Sequence, residues 1–291
     1  MAADIDTASM IADLHRLGVQ QGDTLVVRAE LSAIGRVRRN EVLNALLGAV
    51  GETGTIVGLA FTNATFVRRP DPAQAFCETT PSYAGSLPNT MLKYPGAKRS
   101  RHPICSFVAL GARAEWIVEG HGPHNDSYAP IRKVMQAGGK MVLIGCVRSS
   151  PGFTTAHLAE YDLGLYKRLI MPWLSSVYYS DESGQVKLFR VRDAGLCSKS
   201  YVKFYSPHVA NGDLRSGMVG AAYSVLIPAV AAYKTEREIL ENNPRFNVCG
   251  DPGCFVCNAR RWDRLYRLPL YLTQNLPRII RWLTGRKGAG T

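Results

Sequence analysis

The sequence predicts an α/β protein: a layered sheet with helices on both faces, followed by a basic helical extension. Three observations lead there. Through the first 165 residues, apolar runs of strand length alternate with stretches whose apolar residues recur at helical spacing. The runs themselves ("TLVVR", "GTIVGLAFT", "SFVALG", "KMVLIGCV") are almost continuously apolar, the pattern of strands covered on two faces. After residue 257 the composition changes: eight arginines and lysines stand against one aspartate, interleaved with Trp, Tyr, Leu and Ile.

In chain order, residues 6–17 make a helix, with Met10, Ile11, Leu14 and Leu17 near one stripe. A turn at 21–23 leads into a strand at 24–28. Residues 39–50 are helical, with Val42, Leu43, Leu46, Leu47 and Val50 on one face and Gly51 as C-cap. A second strand fills 54–62, and 63–85, polar and Pro-containing, is a long loop. A short helix at 87–96 stops at Pro95-Gly96. The third strand is 106–111, helices occupy 112–121 and 129–139, and the fourth strand is 140–147. A helix starts near Thr155, with Thr154 or Thr155 as its N-cap. "SSVYYS" and "VKLFRVRD" flank "DESGQ" as a hairpin, expected to add antiparallel strands to the same sheet. Residues 217–244 give a strand end and then a helix broken near Pro228. A boundary at Asn243-Pro244 separates a main domain (1–243) from an extension (244–291).

Composition narrows the function classes. The chain is 46% hydrophobic and 20% charged, as globular proteins are. No stretch approaches the roughly 18 apolar residues of a membrane span. The opening "MAADIDTASMIADLHRLG" carries acids and a histidine where a secretion signal would be apolar. A cytoplasmic protein is expected. Seven cysteines, an odd number without a secretion signal, argue against a disulfide framework.

The chemistry concentrates in "MVLIGCVRSSPGFTTAHLAEYD" (141–162). In open α/β sheets, ligands sit beyond the carboxyl ends of strands, where "RSSPGF" falls. His157 and Glu160 are three apart on one helical face, so the carboxylate can orient the imidazole as a base. The hydroxyl of Thr154, one turn earlier, can donate to a developing oxyanion. The set suits acyl transfer to an amine or hydroxyl. Alone, Thr-x-x-His-x-x-Glu is a weak motif, because a histidine in a helix's first turn is more often a satisfied surface residue.

Further segments raise its weight. Leu31-Ser32-Ala33-Ile34-Gly35 follows the first strand, Thr80-Pro81-Ser82 precedes Gly85, and Arg99-Ser100 with His102-Pro103 precedes Ser106-Phe107. Thr154-Thr155-Ala156-His157-Leu158-Ala159-Glu160 completes the series. In order and spacing, over roughly residues 10–235, this resembles the aminoglycoside 3-N-acetyltransferase family. The resemblance implies the antibiotic N-acetyltransferase fold, acetyl-coenzyme A as donor and direct transfer to a small-molecule amine in a ternary complex. It implies His157 as the base, Glu160 as its orienting partner, Thr154 as the group steadying the thioester oxygen, and His102 lining the site. Ser32, Ala33, Gly35 and Thr155 are the positions it expects at the coenzyme.

The sequence departs from that family where "VRAEL" replaces the usual "VHSSL". Arg28 stands there as a residue for a phosphate or a solvated rim. The loop "NATFVRRPDPAQAFCET" sets Arg68 and Arg69 against Asp71 and Glu78. Such a neutral loop suits a nucleotide- or lipid-linked amino sugar better than a polycationic drug. The alternative class is a non-catalytic relative that serves, through the tail, as a binding or scaffolding module for membrane or nucleic acid.

Cys249, Cys254 and Cys257 form C-x4-C-x2-C around a "DPG" turn. Three thiolates can meet one ion. Structural zinc is the expected metal, with Cys197 or His208 as fourth ligand; ordinary reduced thiols are the alternative. The arginines from 258 to 291 alternate with Trp262, Tyr266, Leu268, Leu270, Tyr271, Leu272, Ile279, Ile280, Trp282 and Leu283. That composition suits a peripheral membrane contact or a homodimer contact rather than nucleic acid.

Overall fold

The computed structural model describes residues 5–193 and 195–283. Its strands are β1 (Thr24–Ala29), β2 (Thr55–Leu59), β3 (Thr65–Phe66), β4 (Lys98–Arg99), β5 (Phe107–Gly111), β6 (Lys140–Ile144), β7 (Ser175–Ser180), β8 (Val186–Arg190), β9 (Arg215–Val219) and β10 (Ala222–Pro228). Seven form the main sheet, in the order β4-β5-β2-β1-β6-β10-β9. The centre, β2-β1-β6, is parallel; β5 and β10 join it antiparallel on either side.

Strand alternation splits the apolar runs between two cores. Leu25 and Val27 of β1, with Val142 and Ile144 of β6, point to one face. There they meet the helices Thr7–Leu17, Arg39–Val50 and Ser86–Met91. Val26, Met141 and Leu143 point to the other face. Ala114–Val118, Ala129–Gln136, Thr154–Asp162 and Ala229–Asn242 pack there. The helices on both faces match the expected layering. The first helix is fixed at both ends: Asp6 Oδ1 accepts from the Ser9 N–H at 2.6 Å, and Gly18 closes it at φ +115°.

Three expectations are corrected. The β7–β8 hairpin does not join the main sheet; it forms a separate three-stranded sheet with β3, which lies in the segment read as loop. Its apolar side (Val177, Phe189, Val191) makes its own small core with Ala64 and Ile104. The later antiparallel strands of the main sheet are β9 and β10, on the edge opposite β5 and β4. Pro228 does not break a helix. It is the last residue of β10, and the helix Ala229–Asn242 begins after it, where a missing N–H costs no ladder bond.

Beyond Pro244 the chain folds back onto the body. Arg261, 1% exposed, bonds both oxygens of Asp263 at 3.0 Å, and Ile170 N–H donates to the Arg260 carbonyl at 2.8 Å. The last described helix is Leu268–Leu283. It buries Tyr271 and Asn275 and leaves Leu270, Leu272, Leu276 and Ile280 exposed. The expected basic tail continues through Arg286 and Lys287, outside the described residues. So do the side chains of Trp282 and Leu283.

Candidate active site

Strands β1, β2 and β6 run parallel, so the loops leaving them emerge on one side of the sheet. A cavity of about 480 Å³ opens there, walled by Arg28, Phe61, His102, Tyr128, Thr154 and His157 among others. This is the carboxyl-end crevice expected of such sheets.

The loop from β6 to the helix Thr154–Asp162 is braced from two sides. Arg28, read as a rim or phosphate residue, instead donates to the carbonyls of Gly152 (2.9 Å) and Ser150 (3.0 Å). The Tyr205 hydroxyl donates to the Val147 carbonyl and accepts from Gly152 N–H. Gly152 has φ +78°, and a Cβ there would stand 2.2 Å from the Cβ of Tyr201, so only glycine fits. The expected threonine cap is absent. Phe153 is the N-cap, with no side-chain cap bond, and Thr154 and Thr155 lie inside the first turn. Phe153 is 1% exposed and packs against Tyr205 and His208, so core packing sets the helix start.

His157 and Glu160 meet as their spacing predicts, with Nδ1 3.0 Å from Oε2. Glu160 is 1% exposed. Its Oε2 also accepts from the Leu196 N–H at 3.1 Å, and its Oε1 accepts from the side-chain amide of Asn247. With the carboxylate accepting throughout, the proton between the pair belongs to Nδ1. Nε2 is then the nitrogen with an open lone pair. The Tyr201 hydroxyl lies 2.6 Å from Nδ1, and the Tyr128 ring stacks on the imidazole at 4.9 Å and 15°. The ring is held in place by a carboxylate and two tyrosines.

His102 lines the same cavity by another route. Its Nδ1 accepts from the N–H groups of Ile104 (3.3 Å) and Cys105 (2.9 Å), which puts its proton on Nε2. That Nε2 is buried and has no partner among the described residues. Burial, helped by the charge of Arg192, pushes its pKa down to about 3, so the ring is a neutral donor.

The remaining expected residues are spread out. Ser32, Ala33 and Gly35 lie on and just after the short turn Leu31–Ile34 beyond β1, with Ser32 and Gly35 exposed; none borders this cavity. Thr155 is fully buried near the carboxyl of Glu236, and its hydroxyl makes no hydrogen bond among the described residues. Cys249, Cys254 and Cys257 are joined by Cys197. The four sulfurs lie within 4.8 Å of one another and all four residues are buried. His208, the other candidate fourth ligand, faces Glu236 instead, with Nε2 3.4 Å from Oε1.

Tyr128, Tyr201 and Asn247 went unread in the sequence. The tyrosines reach His157 through tertiary packing. Asn247 sits two residues before Cys249, in what reads as a linker.

The model of the family described as aminoglycoside 3-N-acetyltransferase matches residues 26–241. The aminoglycoside N(3)-acetyltransferase III of Serratia marcescens is 32% identical over 251 residues, covering 76% of this chain and 91% of the relative. The type VIII enzyme of Streptomyces fradiae is 33% identical over 171 residues, 52% of this chain and 59% of the relative. Among solved structures, AAC-IIIb in binary complex with CoASH is 28% identical, with a TM-score of 0.69 over 86% of this chain and 100% of that one. AAC-VIa bound to sisomicin shares the fold, at 24% identity and a TM-score of 0.67 over 82% and 98%. The chain belongs to the aminoglycoside 3-N-acetyltransferase family and is an N-acetyltransferase.

Proposed function

We propose that residues 1–243 form the catalytic unit and transfer an acetyl group directly from acetyl-coenzyme A to an amino group of an amino sugar or aminocyclitol, with His157 as general base. The observation that carries this reading is the His157–Glu160 contact at the cavity wall, with Nε2 left as the open acceptor. An acceptor amine gives a proton to Nε2 as its nitrogen attacks the thioester carbon. Glu160 holds the imidazolium that forms. Thr154 and the uncapped N–H groups of its helix favour negative charge on the carbonyl oxygen. The His102 Nε2–H is a second donor on the wall. The departing thiolate then takes the proton back from Nε2, which balances the transfer. The turn 31–35 is the proposed coenzyme contact. Thr155, buried against Glu236, supports the helix rather than the coenzyme.

His157→Ala should lower kcat by about 10²- to 10⁴-fold while leaving coenzyme affinity unchanged. Unchanged turnover would refute the base assignment. Thiol release from acetyl-coenzyme A is the assay, run against aminoglycosides and singly charged amino sugars. Asp193 is the one carboxylate among the described residues lining the cavity, and both its oxygens already accept from Ser127. That scarcity favours an acceptor with one ammonium group over a polycation. Release with gentamicin alone would overturn the preference.

For the extension, a second reading follows from the outward leucines. The last described helix leaves Leu270, Leu272 and Leu276 exposed and also carries Arg278 and Arg281, a composition that suits an anionic lipid surface. No helix among the described residues is long and apolar enough to cross a membrane. The doubly substituted Leu272→Glu, Leu276→Glu chain should stop pelleting with phosphatidylserine vesicles. Equal pelleting of both forms would remove the lipid reading.

A further inference from the structure

The four cysteines lie outside the cavity, yet the two segments that bring Cys197 and Cys249 to the cluster are the two that hold Glu160. Leu196, whose N–H reaches Glu160 Oε2, is followed by Cys197. Asn247, whose amide reaches Oε1, is followed after Val248 by Cys249. We propose that Cys197, Cys249, Cys254 and Cys257 bind one zinc ion as a tetrathiolate, and that this ion pins the two segments together as the positioning clamp of Glu160.

Size decides the kind of site. A tetrahedral zinc with bonds of about 2.3 Å places its sulfurs about 3.8 Å apart. Here all four lie within 4.8 Å, and Cys197 Sγ and Cys254 Sγ are 3.5 Å apart. An iron–sulfur cluster divides its cysteines between several irons and needs a wider arrangement. None of the four is in a disulfide. Their exposures run from 1% to 8%, and Val248 and Val256 complete an apolar shell.

Lys199, bonded to Asp251 at 2.7 Å, stands beside the cluster, and Arg264 Nε donates to the Cys257 carbonyl at 2.9 Å. The loop between Cys249 and Cys254 is fixed from within: Asp251 Oδ1 accepts from Gly253 N–H at 2.8 Å, and Asn258 donates to the carbonyls of Asp251 and Cys254. The family model ends at residue 241, so three of the four ligands lie beyond the matched region.

The metal site stands on the sulfurs alone. The clamp rests on the reading of Glu160 as the partner of a catalytic His157, and the experiment separates the two. Full-length protein purified without chelator should carry about one zinc per chain by elemental analysis. Exchange with cobalt should give intense thiolate-to-metal charge-transfer absorption. A metal-free protein overturns the site, and iron overturns the choice of metal. Cysteine substitution risks misfolding, so the clamp is tested on the natural chain. Zinc is displaced by a mercurial thiol reagent, within the range where circular dichroism stays native. Hydrogen exchange at the Leu196 amide should then quicken by about tenfold, and kcat should fall by roughly ten- to a hundredfold with coenzyme affinity unchanged. Unchanged exchange overturns the clamp even if the zinc is present. If His157→Ala has already refuted the base, zinc content and exchange still report on the metal site.

Discussion

The body of the protein and its extension both hold one carboxylate, that of Glu160, and they hold it by different means. From the body, Glu160 receives a backbone N–H, that of Leu196, and sits on a helix whose register aligns it with His157. From the extension it receives only the side chain of Asn247. The body has two large apolar cores spread over a seven-stranded sheet. The cysteine segment has three thiols that meet Cys197 of the body, two valines and a net of ion pairs around Asp263. A region with so little apolar area needs another source of order, and converging thiols or buried ion pairs supply it. The carboxylate bonded to His157 is therefore held in part by a segment that lies beyond the family model, which ends at residue 241.

The largest effect should come from breaking the meeting point itself. Glu160→Gln keeps the shape but turns one acceptor into an N–H group facing a donor, either Leu196 N–H with His157 Nδ1–H or the Asn247 amide. The imidazolium loses its counter-charge as well. We expect kcat to fall by about 10³-fold, with the Michaelis constant for acetyl-coenzyme A little changed. A drop below tenfold would show that His157 is oriented by its tyrosines alone.

A smaller effect should come from the extension's side. Asn247→Ala removes one donor from Oε1 and also breaks the 3.4 Å contact from Arg261 to Asn247 Oδ1. It leaves Leu196 and His157 in place, so activity should fall by roughly ten- to a hundredfold and stability by about 1–2 kcal/mol. Asn247→Asp tests the reason. It sets a second carboxylate against Glu160 and should do more harm than alanine. If both variants keep full activity, the extension only covers the site.

What was legible in the sequence follows the same division. The pairing of His157 with Glu160 is local, three residues along one helix, so spacing alone announces it. The strands were legible because both faces of the sheet are covered, which leaves continuous apolar runs. The β7–β8 hairpin was recognised but assigned to the wrong sheet, since strand alternation does not say which edge a hairpin joins. The N-cap was misplaced because Phe153 is fixed by packing against Tyr205 and His208, which outweighs the local preference for threonine. Three cysteines were legible as a cluster. Choosing Cys197 over His208 as the fourth needed the fold, which buries His208 against Glu236. Asn247, Tyr128 and Tyr201 carry no motif.

The smallest predicted effect tests the body alone and should leave the extension untouched. His102 and His121 stack at 5.1 Å, and burial pushes both pKa values down to about 3. In the unfolded chain each titrates near 6.5. Below that pH the unfolded state takes up protons that the folded state refuses, so stability is full above about 6.5 and is lost as pH falls toward 3. At pH 5.5 the loss should be about 1 kcal/mol per histidine relative to pH 7.5. His121→Gln can still accept from Ser100 and donate toward the Asp126 carbonyl, the two bonds the ring makes now. In that variant the urea midpoint should fall with pH about half as steeply. An unchanged slope would mean that the acid sensitivity lies outside this stacked pair of histidines.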